Sequence, residues 1–345
     1  MARRLTVLVN CDRALTPSTF PVGFEVALYY CFADVAPGEG ARRASRTGPA
    51  KLVTNPLFIG VDGGGSHCRA RLRDADGRLL GEGSAGPGNA RLGDAAFAEV
   101  LKACRLAVAA AGLGEADMQR IHAGFGLAGT QQPEDRQSVL DRPHPFASLS
   151  VDTDAYAGWL GAFNGRDGAI LIVGTGSAGL AIIAGKRINV GGWGADIGDE
   201  GSGMAIGRAA IRRAIWAHEG MGELTPLAEA VLAKFDGQPP NAVIWAGKAT
   251  PGDFARLAPM VFDFAEQRDS LAISIVEEAA HEVSRHVSRL LDLGAPSIAM
   301  IGGVWPRILG WLPPPHRARL VEPEGDAMDG AILMARQALA LREGA

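Results

Sequence analysis

The chain carries no excess of basic residues. Its 34 Lys and Arg stand against 38 Asp and Glu, a net charge of −4, so no field exists to hold a nucleic-acid backbone or an anionic bilayer surface. A long apolar run is also missing. The longest, Ala169 to Ala184, is broken by Gly174-Thr175-Gly176-Ser177 and falls short of the roughly 20 residues that a membrane span takes. The basic start Met1-Ala2-Arg3-Arg4 is followed only by Leu5-Thr6-Val7-Leu8-Val9 before Asn10 to Arg13 breaks it, too short a core for a signal peptide. The four cysteines, Cys11, Cys31, Cys68 and Cys104, show no paired spacing; they read as reduced, small apolar residues of a cytoplasmic protein. His281, Glu282 and His286 do not form a zinc helix, because histidines five apart do not share a face. No glycine turn is followed by Lys-Ser or Lys-Thr, which excludes a Walker loop.

What is present is glycine, 46 of 345 residues, clustered between apolar runs. That placement suggests ligand turns rather than disorder. With 47% hydrophobic and 21% charged residues, a chain of this length should make about two domains with real cores. Residues 1–56 differ from the rest. Val22 to Phe32 suits a short apolar element, whereas Pro37 to Pro49 is rich in Gly, Ala, Arg and Ser and reads as linker. The expectation is an extension that is disordered or outside the fold.

The stretch around which the chain is organised is Gly60-Val61-Asp62-Gly63-Gly64-Gly65-Ser66. An apolar run from Leu57 leads into it. His67 to Arg73 then alternates, with Cys68, Ala70 and Leu72 on one side and His67, Arg69, Arg71 and Arg73 on the other, the period of a half-buried strand. Gly63, Gly64 and Gly65 thus form a turn between strands whose amides can converge on an anion. Asp62 beside it suits a phosphate carrying Mg²⁺. A plain glycine hairpin with a capping Asp reads equally well at this point.

Further along, Arg78 to Gly83 predicts a third strand, Gly86 to Asn89 a loop presenting one amide, and Asp94 a helix cap. Asp152, Thr153 and Asp154 stand at a strand end, where a helix from Ala155 to Phe163 begins. Then the pattern returns: strand Ala169 to Val173, turn Gly174-Thr175-Gly176-Ser177, strand Gly179 to Ala184, strand Arg187 to Val190. We read this as a duplication of architecture, two halves facing each other across a cleft. Gly174-x-Gly176-x-x-Gly179 matches the dinucleotide fingerprint, but a strand follows it where that fingerprint needs a helix. A long amphipathic helix is predicted over Asp269 to Leu293, a strand over Ser297 to Ile301 entering Gly302-Gly303, and a last helix from Asp326 to Leu341.

Two glycine hairpins, the pair Gly302-Gly303 and several strand-end carboxylates fit a clamped nucleotide, since phosphoryl transfer needs positioning and charge neutralisation above all. In that reading Asp62 holds Mg²⁺ through water, and both turns, with the hydroxyls of Ser66 and Thr175, cradle the phosphates of ATP. Asp154 is the candidate base, kept ionised by the helix dipole. A plain helix cap is its bland alternative, Asp152 the next candidate, and Asp199 an acceptor ligand.

These residues carry a resemblance. Phe58-Ile59-Gly60-Val61-Asp62-Gly63-Gly64-Gly65-Ser66, Gly174-Thr175-Gly176-Ser177, Gly191-Gly192-Trp193-Gly194, Gly198-Asp199-Glu200-Gly201-Ser202 and Gly302-Gly303-Val304-Trp305 resemble the BadF/BadG/BcrA/BcrD ATPase family, and within it the amino-sugar kinases. The likeness runs from about Leu57 to Ala340, including His144 to Tyr156 and Asp326 to Ala331. It implies an α/β fold, the actin-like (ribonuclease H-like) duplicated two-domain ATPase with a central ATP cleft. The halves would be 57–155 with the C-terminal helix 326–341, and 156–325. It implies ATP-dependent phosphorylation of the 6-hydroxyl of glucosamine, with N-acetylglucosamine as the alternative and a non-catalytic ATP switch as the distant one. On matching positions Asp154 becomes the base; Asn89, Ser177, Gly192, Trp193 and Asp199 meet the sugar; Gly302 and Gly303 meet the adenosine. The partner expected is an amino sugar, with neither nucleic acid nor membrane, and a homodimer is left open.

Overall fold

The computed structural model describes residues 55–344. The expectations for residues 1–54 lie outside them. β1 (Leu57–Gly63) is buried at all but one position, as a central strand covered on both faces must be. β2 (Cys68–Arg73) alternates buried and half-buried, the predicted period. β3 (Leu79–Ala85) completes an antiparallel meander. α1 (Asp94–Ala110) lies across it. Asp94 is not its cap, contrary to the sequence expectation. Gly93, at φ 68, takes that place without a side-chain bond, and Asp94 stands in the first turn, where the dipole favours a carboxylate. β4 (Ile121–Leu127), α2 (Pro133–Leu140), β5 (Ser148–Asp152) and α3 (Asp154–Phe163) follow. β4 and β5 add in parallel, giving the order β3-β2-β1-β4-β5.

The second half repeats this. β6 (Gly168–Val173), β7 (Ser177–Ile183) and β8 (Lys186–Gly191) form the second meander. β7 runs antiparallel to β6 with no helix after the turn, which rules out the dinucleotide reading. Six helices come next: α4 (Gly203–His218), α5 (Pro226–Ala233), α6 (Pro239–Ala246), α7 (Pro251–Ala255), α8 (Ala258–Glu266) and the long α9 (Ser270–Asp292). The chain ends with β9 (Ile298–Ile301), α10 (Trp305–Ile308), α11 (Pro314–Arg317), β10 (Leu320–Val321) and α12 (Ala327–Glu343). The sheet order is β10-β9-β6-β7-β8. Read backwards, it is the first order with each strand replaced by its counterpart, so the duplication is real.

α12 returns to the first sheet. It crosses β1 and β4 so closely that a Cβ on Gly60 would stand 2.1 Å from the Met328 carbonyl oxygen, and one on Gly124 1.9 Å from that of Ala331. Arg71 ties it down, donating to Asp326 and Asp329 at 2.9 and 2.8 Å. α12 also crosses α3. There a Cβ on Gly161 would lie 2.0 Å from the Asp326 oxygen, and one on Gly330 1.8 Å from the Ala157 oxygen. Backbone touches backbone, which only glycine permits.

Candidate active site

A cavity of about 580 Å³ opens where the two halves meet. From the first half come Gln131, Gln132 and Arg136 after β4, and Thr153, Asp154 and Ala155 at the β5–α3 junction. From the second come Thr175 to Gly179, Arg187, Asn189 and Gly191 on β8, Gly192 to Gly194, and Asp199. Asp154, Thr175, Gly176, Ser177, Gly192, Trp193 and Asp199 were all singled out from the sequence, and one cavity holds them.

Asp154 is the first residue of α3, whose cap is Thr153: the Thr153 hydroxyl accepts the Tyr156 N–H. An Asp154 carboxylate oxygen accepts the Ala155 N–H at 2.9 Å. Burial pushes this carboxyl up to about 6; the nearby Asp62 adds to the rise, and the Ala155 N–H partly offsets it. Desolvation outweighs the helix dipole that the sequence suggested, yet a carboxyl near 6 remains mostly ionised at neutral pH. A base must be ionised, so activity should fall as pH drops through this value. We expect kcat/KM for the acceptor, at saturating nucleotide, to show an acid limb near pH 6. A profile flat down to pH 5 would remove Asp154 as the titrating group. Asp152, the alternative base, is already engaged: it accepts the Thr153 N–H at 2.6 Å and an Arg187 N–H at 2.8 Å.

Asp199 sits at φ 65, a conformation that costs a non-glycine residue energy and tends to mark functional sites. One of its oxygens accepts the Ser177 N–H at 3.1 Å. A Cβ on Gly176 would stand 2.8 Å from both of its oxygens. The Ser177 hydroxyl donates to the Glu200 carbonyl at 2.8 Å. The acidic loop is thereby fastened to the second glycine turn. Burial raises the Asp199 carboxyl above its ordinary value. Trp193, at the cavity wall, is 79% exposed.

The other predicted residues lie outside the cavity wall. Asp62 pairs with Arg69 at 2.7 Å. In the first turn the Gly64 N–H donates to His67, and the Gly64 carbonyl accepts from Gly88. Gly63 packs on Leu127, whereas a Cβ on Gly65 would meet nothing within 4 Å. Ser66 points across to α7, its hydroxyl 3.8 Å from a Cβ built on Gly252. Gly302, at φ 110, presses on the Val173 carbonyl. A Cβ built on Gly174 would stand 3.8 Å from Gly302 and Gly303, and one on Gly303 would meet nothing within 4 Å. The second turn and the pair Gly302-Gly303 are therefore neighbours. Asn89 turns its side-chain oxygen back to the Arg91 N–H at 3.0 Å, leaving only its NH₂ for a ligand.

The residues fit nucleotide and metal. Open space above Gly65 and Gly303 is what a phosphate or a ribose needs to approach backbone. Among the described residues no three-carboxylate cage exists, and nucleotide-borne Mg²⁺ needs only one or two carboxylates, for which Asp62, paired with Arg69, is the candidate. Arg187, Asn189, Arg136, Gln131 and Gln132 were missed from the sequence. Arg187, Asn189 and Gly191 alternate on one face of β8, and that period was the available signal. The residues after β4 gave none.

Two like five-stranded sheets, each with a glycine turn after its first strand and a polar cavity between, define an actin-like α/β ATPase fold. The BadF/BadG/BcrA/BcrD ATPase family matches residues 59–335, and the chain belongs to it. It is 37% identical to the glucosamine kinase GspK of Vibrio cholerae over 279 residues, 81% of this chain and 95% of that protein. A putative N-acetylglucosamine kinase from Chromobacterium violaceum superposes with a TM-score of 0.76 at 36% identity, covering 81% of this chain and 99% of that one. A ROK family glucokinase from Streptomyces griseus, solved with glucose and AMPPNP, shares the fold at a TM-score of 0.52 and 19% identity, over 82% of this chain and 99% of that one. Among the described residues no helix is long and apolar enough to cross a membrane.

Proposed function

We propose that the chain is an ATP-dependent kinase that phosphorylates the 6-hydroxyl of glucosamine, giving glucosamine 6-phosphate and ADP, with N-acetylglucosamine as the second acceptor. The observation that carries it is that Asp154 and Asp199, from opposite halves, open into one cavity beside the second glycine turn. The V. cholerae relative supports the choice of glucosamine, and the C. violaceum structure keeps the acetylated sugar in view.

Asp199, Trp193, Gly192, Ser177 and Asn89 orient the sugar, the indole lying against its apolar face. Asp154 takes the proton of the 6-hydroxyl as that oxygen bonds to the terminal phosphorus of ATP and the bond to the bridging oxygen breaks, releasing ADP. Gly63, Gly64, Gly65, Ser66, Gly174, Thr175 and Gly176 cradle the phosphates, and Gly302 and Gly303 back the adenosine. Mg²⁺, held through Asp62, supplies neutralisation of phosphate charge. The division into domains 57–155 with 326–341, and 156–325, is part of this reading.

An ADP-coupled assay tests it. The expected result is ADP release stimulated most by glucosamine, less by N-acetylglucosamine and least by glucose. Release that no amino sugar stimulates would reject the kinase in favour of an ATP switch.

A further inference from the structure

We propose that Arg187 is a positioning residue for this transfer: it clamps the turn carrying Asp154 to the strand carrying the sugar loop, so that base and acceptor are held as one unit. The proposal rests on the function given above.

β5 is the edge strand of the first sheet and β8 the edge strand of the second. Arg187 joins them. One guanidinium NH₂ group donates to Asp152 at 2.8 Å and the other to the Thr153 hydroxyl at 2.7 Å. The guanidinium lies over the Tyr156 ring, 4.9 Å from its centre. These three contacts flank Asp154 on both sides. The Thr153 hydroxyl is also the α3 cap, so the grip reaches the first turn of the helix on which Asp154 stands. Among the described residues the Asp154 carboxylate is held by backbone N–H groups alone, that of Ala155 at 2.9 Å.

At the other end, Arg187, Asn189 and Gly191 share the cavity face of β8, and Gly192 and Trp193 follow directly. A strand is stiff at about 3.3 Å per residue, so the clamp and the sugar loop move together. Arg187 also neutralises Asp152, leaving Asp154 the unpaired carboxylate at this junction. Lysine would not serve, because a point charge lacks the fork that reaches a carboxylate and a hydroxyl while stacking on a ring. The Arg187 and Asp152 side chains are 31% and 21% exposed, so solvent screens part of the pair's attraction, and the test below separates a positioning role from a stabilising one.

The test compares Arg187→Lys, Arg187→Met, Asp152→Asn and the double variant Arg187→Met/Asp152→Asn. Misplacing a base by an ångström costs on the order of 100-fold, so kcat should fall by about that much in both Arg187 variants. KM for the sugar should stay within about threefold, since ground-state binding is untouched. The double variant should be no slower than Arg187→Met, because both changes open one clamp. Urea midpoints should match wild type. A kcat within about twofold of wild type, a raised KM at constant kcat, or additive losses in the double variant would each overturn the proposal. Ratios are taken on whichever hexose the wild type phosphorylates, so failure of the amino-sugar assignment and failure of the clamp are read separately. A crystal structure of Arg187→Met adds a direct readout: the Asp152-Thr153 turn should shift, and an unmoved turn overturns the proposal too.

Discussion

Asp154→Asn should lower kcat by about 10²- to 10⁴-fold, the range that a positioned general base contributes, while ATP still binds with its wild-type Kd. The amide keeps an oxygen for the Ala155 N–H, so the first turn of α3 loses nothing in geometry. What it loses is a proton acceptor. The variant should also be more stable than wild type at alkaline pH. Burial raises the Asp154 carboxyl from an ordinary 3.8 to about 6, so the folded protein holds that proton more tightly than the unfolded chain. The stability this contributes is full below 3.8 and is lost as pH rises through 6. At pH 8 wild type bears the cost of a buried carboxylate and Asp154→Asn does not; at pH 4 the difference should close. Urea midpoints at the two pH values check it. Turnover that survives the substitution, or a variant less stable at pH 8, would move the base elsewhere.

The second large effect belongs to the crossing of α3 and α12. Gly161→Ala and Gly330→Ala each place a methyl within 2.0 Å or less of a backbone oxygen on the other helix. No rotamer change relieves a clash between main chains. The helices must separate, which for overpacking costs about 1–3 kcal/mol and occasionally more. Both variants should unfold at clearly lower urea, and valine at either site should be worse. Gly222 has nothing within 4 Å of a built Cβ and no positive φ, so Gly222→Ala should stay within about 0.5 kcal/mol of wild type. Because α3 begins at Asp154, a displaced helix also carries the base away, and kcat should fall with stability. An unchanged midpoint in both crossing variants would show that the helices do not touch.

Much of this was legible because glycine announces itself. The turns at Gly63–Ser66 and Gly174–Ser177 each follow an apolar run, and β2 advertises its faces through Cys68, Ala70 and Leu72, all buried. The repeat of strand, glycine turn and strand gave the duplication of architecture before any coordinate, though not the order of strands within each sheet. Other features were hidden for physical reasons. Arg187 meets Asp152 across 35 residues and two sheets, and no local pattern encodes that. The raised carboxyl of Asp154 comes from tertiary burial, whereas the helix dipole, readable in sequence, points the other way. Asp94 looked like a cap because its side chain suits one, yet the helix starts one residue earlier than that reading, at a Gly93 with φ 68 and no side-chain cap. The bond from the Arg91 N–H to the Asn89 side-chain oxygen, which leaves the NH₂ to meet a ligand, was not legible either.

β1 is sealed by α12, a helix from the far side of the second half in sequence. Phe58 packs with Ile332 and Ala335, more than 270 positions downstream, and Gly60 and Gly124 lie bare until α12 arrives. The later half is contiguous from β6 to β10 and has no such wait. The face of the first sheet around Phe58 and Gly60 is therefore covered only when α12 is in place, whereas the second sheet is built from one contiguous stretch. A chain cut before Ala327 would keep Asp154 and Asp199 and still lack the surface on which its first strand rests.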